Sequence, residues 1–285
     1  MLLTPEAIDR VVIAALAEDA PWGDATSDAF IPAGATAAAQ LVAREPGVFS
    51  GGEVFARTMS AANAATVTTL AVQDGDLFVP GEVLATVTGP AAGVLLGERV
   101  SLNLVQRMSG IATLTSSYVA AVEGTQARIV DTRKTTPGLR ALERHAVRSG
   151  GAHNHRFSLS DAVLAKDNHL AVLTASGVSL TDAIRQARTR ISHTTHLEVE
   201  VDRLDQIEPV LAGGVDTIML DNFSLDELRQ GVALVAGRAL IEASGGVNLD
   251  TVRAIAETGV DIISVGALTH SARALDLGLD LSVMP

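Results

Sequence analysis

The residues best suited to chemistry in this 285-residue chain are cations set among acids. Of its 21 Lys and Arg residues, only Lys134 and Lys166 are lysine. Lysine is a compact point charge with a tunable pKa and a potential amine nucleophile, and arginine is neither. Two lysines kept against so strong a bias towards arginine are candidates for a task that arginine cannot perform. Residues 128–166 carry eight Lys and Arg but three Asp and Glu, a net +5 in a protein of net charge −12. Such a patch suits a substrate with several carboxylates or phosphates, which arginine can grip through two parallel hydrogen bonds. Arg133 and Arg156 fall in turns, where they can face a ligand. Arg140, Arg144 and Arg148 are spaced as one helix face and can equally be solvated. His153-Asn154-His155 has the form of a metal pair, but on a glycine-rich loop it is better suited to hydrogen-bonding a substrate.

Acids lie on the run Leu197-Glu198-Val199-Glu200-Val201-Asp202. Side chains alternate across a strand, so Glu198, Glu200 and Asp202 share a face. Inside a barrel they would point into the lumen, where buried carboxylates need partners. Lys134, Lys166 and a divalent metal are the expected ones. Two further runs, Ser244-Gly245-Gly246 and Gly266-Ala267, can present backbone N–H groups to a phosphate.

These residues need a scaffold. Thr4-Pro5 opens a helical pattern over 5–16, and Trp22 to Asp28 reads as a loop. Short β-rich runs at 38–44, 65–72 and 82–87, with a helix over 51–62, form a first α+β module. Helical spacing resumes at Leu96 and continues to about Val122, with Arg99, Asn103 and Arg107 on a polar face. Beyond it, strands at 127–131, 162–166, 196–201, 217–221, 239–243 and 262–265 alternate with helical stretches, which is parallel β/α architecture. Polar residues end every strand, which favours an open or incomplete barrel over a doubly wound sheet. The expected domains are 1–108, 109–270 and a segment 271–285 packing back on the first.

Composition excludes other classes. Cysteine is absent, so there is no disulfide framework, thiolate metal site or cysteine nucleophile. The negative balance argues against nucleic-acid binding. No apolar run is long enough for a membrane span, and the acidic N-terminal residues do not form a secretory leader. A cytoplasmic protein is expected.

Asp131-Thr132-Arg133-Lys134-Thr135-Thr136-Pro137-Gly138-Leu139-Arg140 resembles the most characteristic string of the quinolinate phosphoribosyltransferases. Asn154-His155-Arg156, Lys166-Asp167-Asn168-His169, Glu200, Leu220-Asp221-Asn222, Glu242-Ala243-Ser244-Gly245-Gly246 and Ser264 to His270 follow at that family's spacing. The departures are small: Ala152 where glycine is frequent, and His145 where an aromatic is common. The resemblance implies an N-terminal α/β sandwich on an open, seven-stranded α/β barrel. It implies Mg²⁺-dependent transfer of phosphoribosyl from phosphoribosyl pyrophosphate to quinolinate, with decarboxylation to nicotinate mononucleotide, in NAD biosynthesis. By the same resemblance, quinolinate falls to Arg99, Thr132, Arg133, His155, Arg156 and Lys166. The phosphoribosyl donor falls to Lys134, Glu200, Asp221, Ser244, Gly245, Gly246, Gly266 and His270. Catalysis falls to Lys134, Lys166, Glu200 and Asp221, with Mg²⁺ at Glu200 and Asp221, directly or through water. A homodimer or larger assembly is implied, with Arg99 completing the neighbour's site. Two alternatives stay open on the residues alone: a lyase using Lys166 as a Schiff-base amine, and a non-catalytic or differently specific paralogue.

Overall fold

A computed structural model describes residues 3–284 apart from Ser176. Its strands are β1 (Thr36–Ala43), β2 (Gly47–Val48), β3 (Val67–Leu70), β4 (Leu77–Phe78), β5 (Val83–Pro90), β6 (Arg128–Val130), β7 (Val163–Ala165), β8 (Leu197–Val201), β9 (Thr217–Asp221), β10 (Leu240–Ser244), β11 (Ile262–Ser264) and β12 (Leu277–Met284). Two compact units emerge. The first comprises 1–116, 135–151 and 268–285, and the second 117–134 and 152–267. The expected boundaries ran straight along the chain, whereas residues 135–151 cluster with the first unit. Their helix, Arg140–Ser149, packs its apolar face there through Leu142, Ala146 and Val147.

In the first unit, β12, β1, β5 and β3 form an antiparallel sheet in that order. Ala37, Ala39, Leu41 and Ala43 of β1 point inward with the period of two that a half-buried strand requires. Ala39, Leu41 and Ala43 meet Phe55 and Met59 of the helix Gly52–Ala62, together with Val94, Leu102 and Val105 of the helix Ala91–Ala121. The segment before β12 passes so close to that long helix that a Cβ at Gly110 would lie 1.9 Å from the Arg273 carbonyl oxygen. Only glycine admits that approach. The helix Pro5–Asp19 starts as its sequence predicts, with Thr4 capping the Ala7 N–H and proline in the first turn. The region read as a loop is in part helical. Ala25–Phe30 forms a short helix because Asp24 accepts the N–H groups of Thr26 and Ser27.

His145, the departure from the family pattern, has a local role in this unit. Its Nε2 lies 2.6 Å from Asp74 Oδ2, while Gly51 and Gly52 donate their N–H groups to Oδ1 at 2.9 and 3.0 Å. Burial pushes the Asp74 carboxyl up; His145 and the two N–H groups outweigh it and hold the carboxyl below its ordinary value. A carboxyl lowered by folding adds stability above its unfolded pKa and loses it as pH falls through its folded pKa. Asp74→Asn is therefore expected to destabilise the chain near neutrality and much less at about pH 3. Urea-unfolding curves of the two proteins should converge on acidification, and an unchanging gap would overturn this linkage.

The second unit holds the parallel sheet, in the order β6-β11-β10-β9-β8-β7. From β7 to β11 each strand neighbours its successor, and β6 sits beside β11. This order is cyclic and broken only between β6 and β7, as in a barrel with one open seam. Six strands pair among the described residues, against the seven implied by resemblance. At the seam, His153 makes an isolated parallel bridge to Val130, with its N–H on the Ile129 carbonyl at 2.9 Å. No described helix of the chain is long and apolar enough to cross a membrane.

Candidate active site

Both lysines of the chain line a single cavity of about 550 Å³ in the second unit. Thr132, Arg133 and Lys134 reach it from the end of β6, and His155 and Arg156 from the turn that bridges to β6. Lys166 follows β7, Asp221 ends β9, and Ser244, Gly245 and Gly246 follow β10. The expected residues of this unit therefore converge at the carboxyl ends of parallel strands, where such barrels place their chemistry. Gly266 follows β11 by two residues and is not in the cavity lining. Arg99 and His270 belong to the first unit, Arg99 exposed on the helix Ala91–Ala121 and His270 exposed at the end of the helix Ala267–His270.

A buried carboxylate shapes the turn that carries Arg156. Asp131 is fully buried and accepts Asn154 Nδ2 and the His155 N–H, both at 2.7 Å. Arg156 follows directly, and its Nη1 donates to the Ala162 carbonyl at 3.0 Å. Burial and the neighbouring Arg133 charge both lower the Arg156 pKa. Two guanidinium groups near enough to repel each other form a site that a dicarboxylate would neutralise.

The acids separate into three environments. Glu198 and Glu242 are buried, and His155 Nε2 lies 3.1 Å from Glu198 and 3.5 Å from Glu242. Burial pushes the imidazole down, but the two carboxylates outweigh it and raise it to about 10. Burial, together with the Glu242 charge, raises Glu198. The Arg156 N–H points at His155 Nδ1 from 2.7 Å. Nε2 thus faces the two buried carboxylates and Nδ1 the Arg156 backbone. Ligand-type atoms of His155, Glu198 and Glu242 lie within 4.8 Å of one another.

Glu200 accepts an ion pair from Lys166, in a contact too close for a relay through water. Asp221 accepts Asn222 Nδ2 at 2.7 Å. Glu200 and Asp221 both line an adjoining cavity of about 600 Å³. Mg²⁺ takes oxygen ligands, keeps several waters and commonly uses one or two carboxylates beside substrate phosphates. The oxygen-only donor pair fits that requirement. Asp202, expected on the lumen wall, is exposed and pairs with Arg203 at 3.2 Å.

Sequence reasoning assigned no site role to Glu242 or Asn222. Alternation along β10 was the available signal for Glu242. For Asn222 the signal was conformational. Its φ of +59° is tolerated by asparagine better than by most residues. Its N–H donates to the Ser244 carbonyl at 2.9 Å, which ties the end of β9 to the glycine loop.

Residues 24–109 match the family model for the N-terminal domain of quinolinate phosphoribosyl transferase, and residues 111–280 match that for its C-terminal domain. The chain belongs to the quinolinate phosphoribosyltransferase family. It is 45% identical over 273 residues to the nicotinate-nucleotide pyrophosphorylase (carboxylating) of Mycobacterium leprae strain TN, covering 94% of each chain. It is 37% identical over 293 residues to the mitochondrial quinolinate phosphoribosyltransferase (decarboxylating) 2b of Nicotiana tabacum, covering 96% of this chain and 82% of that one. NadC from Streptococcus pyogenes has the same fold, with a TM-score of 0.94 and 41% identity over 100% of both chains. As a quinolinate phosphoribosyltransferase family member, the chain is a phosphoribosyltransferase of mixed α/β fold. The Schiff-base alternative is not the chemistry of this family, and Lys166 Nζ is engaged by the Glu200 carboxylate.

Proposed function

We propose that the chain transfers phosphoribosyl from phosphoribosyl pyrophosphate to quinolinate, with loss of one carboxylate as CO₂ and release of pyrophosphate and nicotinate mononucleotide. The observation that carries this reading is the Arg133–Arg156 pair beside both lysines in one cavity. It is a tetracationic wall, suited to a dicarboxylate acceptor and a polyanionic donor. Arg133, Arg156 and Thr132 hold the acceptor carboxylates. His155 acts behind them, since its Nδ1 faces the Arg156 backbone and its Nε2 faces the buried acids. The backbone N–H groups of Gly245 and Gly246, both at positive φ, are available to the 5′-phosphate.

The C1′–oxygen bond to pyrophosphate breaks with its electrons on the leaving group, and Lys134 neutralises that charge as it develops. Glu200 and Asp221 face the cationic ribosyl centre, with Lys166 orienting Glu200. The pyridine nitrogen bonds to C1′ and becomes positive. The adjacent carbon–carboxylate bond then breaks, the electron pair stays on the ring carbon beside N⁺, and a proton takes its place. Mg²⁺, bound by Glu200 and Asp221, would supply charge neutralisation for the pyrophosphate. On this reading the chain works as a dimer or larger assembly, in which the exposed Arg99 completes the acceptor clamp of a neighbouring copy.

Purified protein given quinolinate, phosphoribosyl pyrophosphate and Mg²⁺ is expected to release nicotinate mononucleotide and CO₂ in equal amounts. Product formed only from nicotinate would replace the acceptor assigned here. Arg156→Ala is expected to raise KM for quinolinate by about 10- to 100-fold, as loss of a charge-assisted contact of 1.5–3 kcal/mol would do. An unchanged KM for quinolinate would remove Arg156 from the clamp.

A further inference from the structure

The mechanism uses Glu200 and Asp221 but not two more deeply buried acids of the same barrel. Glu198 and Glu242 are 4% and 2% exposed. Strand register aligns Glu198 with Thr217 and Leu240, and Glu242 with Met219 and Ile262. The two acids therefore stand in adjacent layers of the lumen, on the strands that flank β9. Oε1 of each is buried with no hydrogen-bond partner among the described residues. Their other oxygens face one group, His155 Nε2, at 3.1 and 3.5 Å. A buried ion pair is a poor way to gain stability, because apolar residues of similar volume avoid its desolvation. What this pair of acids does achieve is a fixed imidazole.

His155 borders two cavities. One is the active-site cavity. The other, of about 350 Å³, lies towards the amino ends of the strands, where Thr217, Leu240 and Ile262 begin β9, β10 and β11. Where a ring faces open space, close packing does not hold it, and directed contacts must. Nε2 has the two acids. Nδ1 meets the Arg156 N–H at 2.7 Å, and Asp131 takes the His155 N–H and Asn154 Nδ2 just before it. A line of contacts thus runs from the acids through the imidazole to the Arg156 backbone, all within the second unit.

We propose that Glu198 and Glu242 are positioning residues for the acceptor, which hold the His155 ring and through it the Arg156 backbone, so that the guanidinium stands where an acceptor carboxylate arrives. The proposal rests on the phosphoribosyl-transfer reading above. Glu198 is not in the lining of the active-site cavity, so its effect passes through His155 and Arg156. A guanidinium grips a carboxylate through two parallel bonds of fixed geometry, so a displaced Arg156 loses affinity while keeping its charge.

The test is a double-mutant cycle on the full-length chain, read by equilibrium binding of quinolinate. Glu198→Leu, which removes the acceptor at similar volume, is made in the native and the Arg156→Ala backgrounds. Kd for quinolinate is expected to rise about fivefold or more in the native background and less than about twofold in the Arg156→Ala background. In turnover the loss should fall on KM for quinolinate rather than on kcat or on KM for phosphoribosyl pyrophosphate, a split that a general loosening of the fold would not give. Glu198→Gln keeps an acceptor oxygen without the charge. It should fall between the leucine variant and the unsubstituted protein, and it carries the cycle should the leucine variant fail to fold. Equal rises in both backgrounds, or an unchanged Kd in both Glu198 variants, would overturn the proposal. Failure of the underlying reading looks different. An unsubstituted protein that binds quinolinate but makes no product would remove the reaction and leave the positioning role to be decided by the cycle, whereas one that binds no quinolinate would overturn both.

Discussion

Lys134→Ala is expected to lower kcat by about 100- to 1000-fold while leaving the fold intact, the size of effect seen when one donor to developing charge is removed. The bond that breaks leaves negative charge on pyrophosphate, and Lys134 is exposed at the cavity that would receive it. Its backbone is held by Thr132, and its side chain fills no core position, so the melting temperature should move by only a few degrees, as for ordinary surface substitutions. Lys134→Arg separates charge from shape. A guanidinium restores the charge but is planar and more weakly hydrated than an ammonium ion, so partial recovery is expected. Steady-state kinetics beside a thermal melt decides the matter. An alanine variant within about threefold of the unsubstituted kcat would end the assignment of leaving-group stabilisation to this residue.

Gly245→Ala is expected to lower kcat/KM for phosphoribosyl pyrophosphate by about 100-fold. Two effects add. Gly245 sits at φ +97°, where a side chain is strained by about 1–3 kcal/mol. A Cβ there would also stand 2.2 Å from Asn222 Oδ1 and 2.9 Å from the Asn222 nitrogen. Neither atom can yield cheaply. The Asn222 N–H is bonded to the Ser244 carbonyl, and its side-chain amide orients the Asp221 carboxylate. The substitution should therefore raise KM for the phosphoribosyl donor and, through Asp221, lower kcat. Equilibrium binding of quinolinate alone should change by less than about twofold, because Arg133 and Arg156 stand on other segments. Adding Asn222→Gly should remove the contact with Oδ1 but neither the approach to the backbone nitrogen nor the φ strain, so recovery should be partial at most. Full activity in Gly245→Ala would mean that the loop does not carry the phosphate.

Much of this was legible in the sequence, for local reasons. The strand Thr217–Asp221 and the helix Leu225–Val235 fall where period and capping place them, because alternation, helical spacing and an Asp or Ser cap act over a few residues. Within the Trp22 to Asp28 stretch, residues from Ala25 on are helical rather than loop; a six-residue helix held by one aspartate is too short to show a period. The two lysines announced themselves by rarity, and the strand ends by polarity. Chain order alone also sufficed to place the glycine loops after the late strands of a barrel.

The partners across the fold were beyond local reading. Alternation put Glu198 and Glu200 on one face of β8 but could not say that Glu198 meets His155 and Glu242 while Glu200 meets Lys166. Nor could it show that Asn222 closes on Gly245, or that residues 135–151 cluster with the first unit rather than the second. Periodicity encodes which way a side chain faces. Which group it faces depends on strand order and on the close packing of segments far apart in the chain. The sequence by itself thus determined the family, the barrel and the list of charged residues. Only the tertiary structure decided their pairings, because a buried charge takes its partner from whatever the fold brings within hydrogen-bond distance.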